Sequence, residues 1–423
     1  MKIIDETVVQ KKLGNGLELF IIPKTGFYKV AINFTVQFGS INNHLKIENK
    51  ERSFPNGIAH FLEHQMFEKK NRNLHQEFSE KGAFVNAYTN FLYTSYTLST
   101  TSKIEEILPL FLDFVQEPSF TEETITRERK VIEQEIRMKK SDIEWIAYFS
   151  ILNSMYQNHP VKNEIGGTFS SINEINMKML YECHNVFYHP NNSKLCIVGD
   201  VDSERLIGQL KSNQELRKFE KPKEIQNLLN EDTRDVNTVY KEIFLPVQVK
   251  KFFVGYKLSK SIFQSDQSIK KEMIINVLLQ MMFGKSSKIR KKLYESGKID
   301  DSFVFNTTID NKFGFIIISG NSYVPDEVTT IIHSSFCELQ NSFIDSNELN
   351  RAIKVEIGKI IRSLDSPQYI ANQYLRYKFR GGDLLVLPQI LKSITVDDIT
   401  SILFTCFKDQ AKCVLIVKND NSS

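Results

Sequence analysis

The chain reads as one unit written twice, and no other feature of its sequence restricts the fold as much. In the first copy, Ser171-Ile172-Asn173-Glu174-Ile175 leads through a helical stretch containing Cys183 and Phe187 into the β-branched run Lys194-Leu195-Cys196-Ile197-Val198. Near the end, Ser393-Ile394-Thr395-Val396-Asp397 leads through a helix with Phe404 and Phe407 into Lys412-Cys413-Val414-Leu415-Ile416-Val417. The correspondence continues upstream. Residues 104–115 and 327–339 both read as amphipathic helices, each followed by an acidic helix start, near Thr121 and near Asp345. Strand patterns at 17–22 and 30–37 open the first copy, and 247–256 opens the second. A chain of 423 residues exceeds one ordinary core. The expectation is therefore an α+β protein of two homologous domains, each a mostly antiparallel sheet covered by helices. The polar segments Phe219–Glu224 and Asn230–Asp235 place the division at residues 1–220, a linker at 221–238 and a second domain at 239–423.

The first copy carries chemistry that the second lacks. His60-Phe61-Leu62-Glu63-His64 puts two imidazoles one helical turn apart on a shared face, with a carboxylate beside them. Two such histidines can reach one metal ion, in the order HxxEH. Aligned against it, Asn276-Val277-Leu278-Leu279-Gln280-Met281-Met282-Phe283 keeps the apolar face and replaces His60, Glu63 and His64 by Asn276, Leu279 and Gln280. A structural helix needs only its apolar side, so the polar residues of the first copy have a separate task. Catalytic zinc takes three protein ligands, and the third must come from elsewhere. In the helical stretch Arg127–Met138, Glu128 and Glu135 stand seven apart, two turns along one face. By itself the same stretch also reads as a solvated helix with Glu/Arg pairs at i+3 and i+4.

Residues 57–135 resemble the pitrilysin/insulinase family of inverted-motif zinc peptidases, in which HxxEH is followed downstream by E-x6-E. Further stretches are similar to family patterns: Gly57-Ile58-Ala59, Gly82-Ala83-Phe84-Val85-Asn86-Ala87-Tyr88-Thr89 with Thr94 and Tyr96, His159-Pro160, Gly166-Gly167-Thr168, Tyr188-His189-Pro190-Asn191-Asn192 and Val198-Gly199-Asp200. Met282-Phe283-Gly284 and Leu293-Tyr294-Glu295 carry the resemblance into the second copy. It implies one zinc per chain, held by His60, His64 and Glu135, with Glu63 as general base and Glu128 supporting the site. It also implies that Asn86, Ala87 and Thr89 receive the substrate as an added strand. The overall look is that of small bacterial two-domain members, each half of a clamshell chamber.

The pattern departs at Tyr294, which stands where many relatives carry an Arg that contacts the substrate carbonyl, and at Asp300 or Asp301, near the place of a Tyr. Gln65 and Leu92 also differ from the usual residues. The departure near Tyr294 implies a partner: a heterodimer with a related subunit lacking HxxEH, or alternatively a homodimer. The expected function is that of a zinc-dependent endopeptidase hydrolysing peptides or short unfolded segments. The alternative is a non-catalytic peptide-binding or structural paralogue of the same fold.

With 25% charged residues and a net charge of +3, neither nucleic acid nor an anionic membrane is an implied partner. The charged start Met1–Thr7 lacks the apolar segment of a signal peptide, and the expectation is a cytoplasmic protein. Five cysteines without a CxxC pair read as free thiols. His75, His159, His184 and His189 read as structural histidines, Trp145 and Tyr148 as packing against the glutamate helix, and residues 285–292 as a solvated basic face.

Overall fold

The computed structural model describes residues 6–420 apart from 71, 103, 230 and 231. Met1–Asp5 and the linker residues Asn230 and Glu231 thus lie outside the described residues. The first copy contributes strands β1 (Val9–Lys12), β2 (Glu18–Pro23), β3 (Val30–Val36), β4 (His44–Ile47), β5 (Lys50–Ser53), β6 (Ala83–Thr89), β7 (Thr94–Thr100) and β8 (Ser193–Gly199). Its principal helices are α1 (Ile58–Phe67), α2 (Ile104–Gln116), α3 (Glu122–Lys139), α4 (Ile143–Met155) and α5 (Met177–Phe187). A connecting strand β9 (Ile225–Asn227) pairs with β4. The second copy follows with β10 (Tyr240–Leu245), β11 (Lys251–Lys257), β12 (Val304–Ile309), β13 (Gly314–Asn321) and β14 (Lys412–Asn419). Its helices are α6 (Ser268–Phe283), α7 (Pro325–Gln340), α8 (Ser346–Ser363), α9 (Pro367–Phe379) and α10 (Val396–Cys406).

The duplication holds strand by strand. The first sheet runs β1-β2-β8-β3-β7-β6 and the second β10-β14-β11-β13-β12, so the second repeats the first without β1. In each sheet one pair is parallel, β2 with β8 and β10 with β14, and the other pairs are antiparallel. The expected strand at 247–256 is shorter than its apolar pattern suggests. Val247 is buried, but it sits in a turn after Pro246, and pairing begins at Lys251. No helix among the described residues is long and apolar enough to cross a membrane.

The two copies are tied together by a reciprocal exchange of helices. α4 leaves the first copy and packs on the second sheet, with Ala147, Ile151 and Met155 in one core with Phe253, Phe315 and Leu415. α9 makes the opposite crossing and covers the first sheet, where Ile370, Ala371 and Tyr374 share a core with Phe20, Ala31 and Val198. The exchange explains why all seven residues of β3 are buried: helices cover both faces of that strand. It also explains Gly255 on β11. A Cβ there would lie 3.1 Å from both Ile151 Cγ1 and Met155 Sδ, so the missing side chain lets α4 approach the sheet. Under the first sheet, the rings of Phe20 and Tyr374 meet edge-on with centroids 5.4 Å apart, and Asn33 Nδ2 donates to Asn372 Oδ1 at 2.7 Å.

Because each copy's core contains a helix of the other, the chain is expected to unfold as one unit. Tyr374→Ala should cost about 3 kcal/mol or more, the usual cost of truncating a buried aromatic ring. Denaturant curves followed by far-UV circular dichroism and by the fluorescence of Trp145, the only tryptophan, should coincide in both chains. Two separated transitions would show that the exchange does not couple the halves.

Candidate metal centre

The site is built where α1 crosses α3. α1 starts at Gly57, whose φ of 90° is open to glycine alone at little cost, and a Cβ there would lie 2.5 Å from the Gly166 oxygen. The helix start is thereby set against the Gly166-Gly167 loop. Phe61, Leu62 and Met66 fix one face of α1 in the core, which leaves His60 and His64 on the open side with ring centroids 4.7 Å apart.

α3 is oriented just as locally. Thr121 caps it in a capping box with Thr124, and only Ile125, Ile132 and Ile136 are buried, a narrow stripe along a polar helix. Gln65 joins the two helices. Its Nε2 donates to the Thr124 carbonyl at 3.1 Å, and the Thr124 hydroxyl donates to Gln65 Oε1 at 3.0 Å. A residue that departs from the family pattern thus fastens α1 to the first turn of α3.

The crossing brings the sequence-derived residues together. Glu135 Oε2 lies 3.7 Å from His60 Nε2 and Glu135 Oε1 lies 3.7 Å from His64 Nε2. One ligand atom from each of the three falls within 4.8 Å of the others. Glu128 Oε2 stands 3.2 Å from His64 Nδ1 and accepts a hydrogen bond from it, so that Nε2 is the nitrogen turned toward Glu135. Burial, with help from the charges of His64 and Lys139, holds His60 well below the usual histidine range, hence neutral. Burial alone would lower His64 as well, but the Glu128 bond and the charges of Glu63, Glu135 and Glu128 outweigh it and raise the pKa. Two nitrogens and a carboxylate oxygen converging on one point fit a zinc ion.

Glu63 is 7% exposed and accepts a hydrogen bond from the Thr89 hydroxyl at 2.5 Å. Burial pushes its carboxyl up to about 7, against the Thr89 bond, which pulls it down. Thr89 is therefore engaged with Glu63, while Asn86 and Ala87 line the adjoining cleft of about 1020 Å³. These residues lie on β6, an edge strand of the first sheet, and among the described residues no strand pairs with its far side. Trp145 also lines the cleft. Its Nε1 donates to Glu164 Oε2 at 3.1 Å, and Lys139 of α3 lies over its ring at 4.6 Å. Tyr148 instead packs on Phe149 and Phe315.

Of the other histidines, only His75 borders this cleft, stacked on Phe67. His159 and His189 cap short turns, and burial pushes His184 down to about 3. The five cysteines are free thiols.

The second copy shows the same crossing without the chemistry. α6 packs on α8 as α1 packs on α3. Counted from the helix caps, Lys359 takes the place of Glu135 (359 − 345 = 14; 135 − 121 = 14). Its ammonium donates to Gln280 Oε1 at 2.9 Å and pairs with Glu356 at 2.7 Å. A lysine thus occupies the position from which Glu135 reaches the histidines. The cap-to-residue count carries that signal in the sequence, and the alignment of α1 with α6 alone misses it.

Residues 26–169 match the family described as Insulinase (Peptidase family M16), and residues 174–356 match the Peptidase M16 inactive domain. The chain is 39% identical over 405 residues to the zinc protease YmfH of Bacillus subtilis, covering 95% of this chain and 94% of that one. The solved structure described as an M16-like peptidase from Alicyclobacillus acidocaldarius superposes with a TM-score of 0.95 at 28% identity, over 99% of both chains. The periplasmic protease PqqL of Escherichia coli shares the fold at 18% identity with a TM-score of 0.78; 99% of this chain matches 48% of that one.

Two outcomes follow from the geometry. Glu128→Gln should weaken zinc binding by about 10- to 100-fold, the usual effect of removing a ligand's outer partner, as read by competition with a chromophoric chelator. Zinc must displace the proton that the surrounding carboxylates hold on His64, so affinity should rise with pH up to the raised His64 pKa and then level. A pH-independent affinity between pH 5.5 and 8 would rule out His64 as a ligand.

Proposed function

The chain belongs to the insulinase family of zinc proteases, peptidase family M16, and from that premise we propose that it is a zinc-dependent endopeptidase acting on peptides or short unfolded segments. One observation carries the reading: His60, His64 and Glu135 converge on a single point beside a buried Glu63 at the floor of an open cleft. Zinc bound there would polarise the scissile carbonyl and acidify water. Glu63 takes the proton from the attacking water and returns it to the nitrogen of the leaving amine. A carboxyl with an intrinsic pKa near neutrality suits both transfers, and the Thr89 hydroxyl holds it in place. Glu128 acts on His64 by fixing its orientation. The free edge of β6, with Asn86 and Ala87, would take an extended peptide as an added strand, reading backbone and leaving side-chain preference to the cleft walls.

In this reading residues 1–220 form the zinc-bearing domain, 221–238 the connection and 239–423 a domain that contributes no ligand. A related subunit would supply positive charge to the developing oxyanion. The supporting observation is Tyr294, half exposed on the helix Lys288–Glu295 where relatives carry Arg; the neighbouring Arg290 is turned onto the ring of Phe303 at 5.2 Å.

Glu63→Gln should retain zinc and lower kcat on an unstructured fluorogenic peptide by about a thousandfold. Chelator should abolish cleavage and added zinc restore it. Undiminished turnover by the Gln variant would sink the hydrolytic reading, whereas full activity of the isolated chain would remove only the partner.

A further inference from the structure

Among the described residues, one cation of the cleft stands outside its ion pairs. Among the described lysines and arginines that line it, Arg72 is paired with Glu77 and Arg127 with Glu68, but Lys139 makes no ion pair. Lys139 stands four residues after Glu135, one turn further along the face of α3 that supplies the carboxylate to the histidines. A Glu and a Lys at that spacing ordinarily pair along the helix. Here Glu135 is turned to His60 and His64, and the Lys139 ammonium lies over Trp145 at 4.6 Å. Its charge is felt at the reaction centre, where it helps lower the pKa of both His60 and Glu63. The neighbouring cleft wall is apolar: Met138 is 71% exposed, and Trp145 and Ile165 face the same cavity.

A partly buried ammonium between apolar surfaces, on the side of the last turn of α3 that faces the cleft, is a fixed positive charge with room beside it for an anionic group. Arg137 and Lys140 are held on the Phe169 ring, which leaves Lys139 as the basic residue of that turn presented to the cleft. Resting on the peptidase reading above, we propose that Lys139 is a specificity-determining residue that pairs with a carboxylate of the bound peptide close to the scissile bond, while Trp145 and Ile165 take the methylene stem of that side chain. The carboxylate belongs to an Asp or Glu side chain or to the peptide's own C-terminus, since both offer the same two oxygens to an ammonium. Substrates are thereby selected for negative charge at one position.

The test uses the zinc-loaded full chain and amidated synthetic peptides in which Glu, Gln or Lys is walked through the positions flanking one cleavable bond, with cut sites read by mass spectrometry. In the wild-type chain, Glu at one fixed position should be favoured over Gln by about three- to tenfold, the range for a partly exposed pair. The ratio should fall to about one in Lys139→Gln, be rescued in Lys139→Arg and turn toward Lys in Lys139→Glu. A purely structural contact with Trp145 would not invert a charge preference. The same neutral sequences with a free C-terminus form the second arm: a Lys139-dependent gain seen only there, at a fixed distance from the end, assigns the carboxylate to the terminus. Identical preferences in all four chains, in both arms, would overturn the proposal. If the wild-type chain alone cuts nothing, the missing partner accounts for it, the peptidase reading stands or falls on the Glu63→Gln comparison, and fluorescence anisotropy of the same labelled peptides decides Lys139. Tighter binding of Glu than of Gln peptides that disappears in Lys139→Gln upholds it, and its absence overturns it.

Discussion

Everything at the site depends on the crossing of α1 over α3. Three ligand atoms from two helices must meet within a few ångströms, and neither helix carries the set alone. The crossing is held from two sides: apolar packing of Phe61, Leu62 and Met66 within a core that includes Ile125, Ile132 and Ile136, and the two hydrogen bonds between Gln65 and Thr124. Packing sets the distance between the axes but tolerates sliding along the ridges. The directional bonds of a fully buried Gln65 do not. They pin the register in which Glu128 falls opposite His64 and Glu135 falls between the two imidazoles. A slip of one turn along α3 would carry both glutamates away from their partners at once.

The duplicated half shows what the same scaffold becomes when its polar residues change. α6 and α8 cross in the same place, yet the position of Glu135 is taken by Lys359, which donates to Gln280. Amides in place of histidines remove the candidate metal ligands, and an ammonium in place of the carboxylate removes the charge that would attract a dication. The backbone arrangement survives because it rests on apolar contacts common to both copies. The helix exchange makes this retention necessary: α9, from the half without the HxxEH residues, covers the face of the first sheet opposite α1. The second half thus supports the first even where it supplies no ligand.

The reading from sequence reached the motif, the glutamate helix, both sheets and the duplication, because each has a local signature: i,i+4 histidines, a seven-residue glutamate spacing, and β-branched runs at β3, β8 and β14. It did not reach the exchange of α4 and α9. Periodicity tells that a helix has an apolar face, not which sheet buries it, and both sheets offer chemically similar surfaces. Thr89 was legible as part of the cleft strand, but its bond to Glu63 arises only when the end of β6 meets α1. Gln65 shows in the sequence only as a departure from the usual residue, because the partner it fastens lies 59 residues away. Such side-chain contacts between distant elements carry no periodic signal.

Burial makes the pocket costly for the charge of its own Glu63 carboxylate. Glu63, Glu128 and Glu135 crowd two imidazoles in partly buried surroundings, and the Glu63 carboxyl is pushed from its ordinary value to about 7. The folded chain holds that proton more tightly than the unfolded chain does. The resulting penalty is therefore absent below the ordinary carboxylate pKa, grows as pH rises from there, and is complete above about 7, where it is on the order of 3 kcal/mol. The same carboxylates raise the His64 pKa and so favour its charged form, a partial answer to their repulsion. A dication held by His60, His64 and Glu135 would answer it more fully, in place of that proton, and would lower the cost of ionised Glu63. The buried Glu63 carboxylate is thus a cost to the metal-free fold, carried by helices fixed by Gln65 and by the shared cores, and a bound dication would relieve part of it.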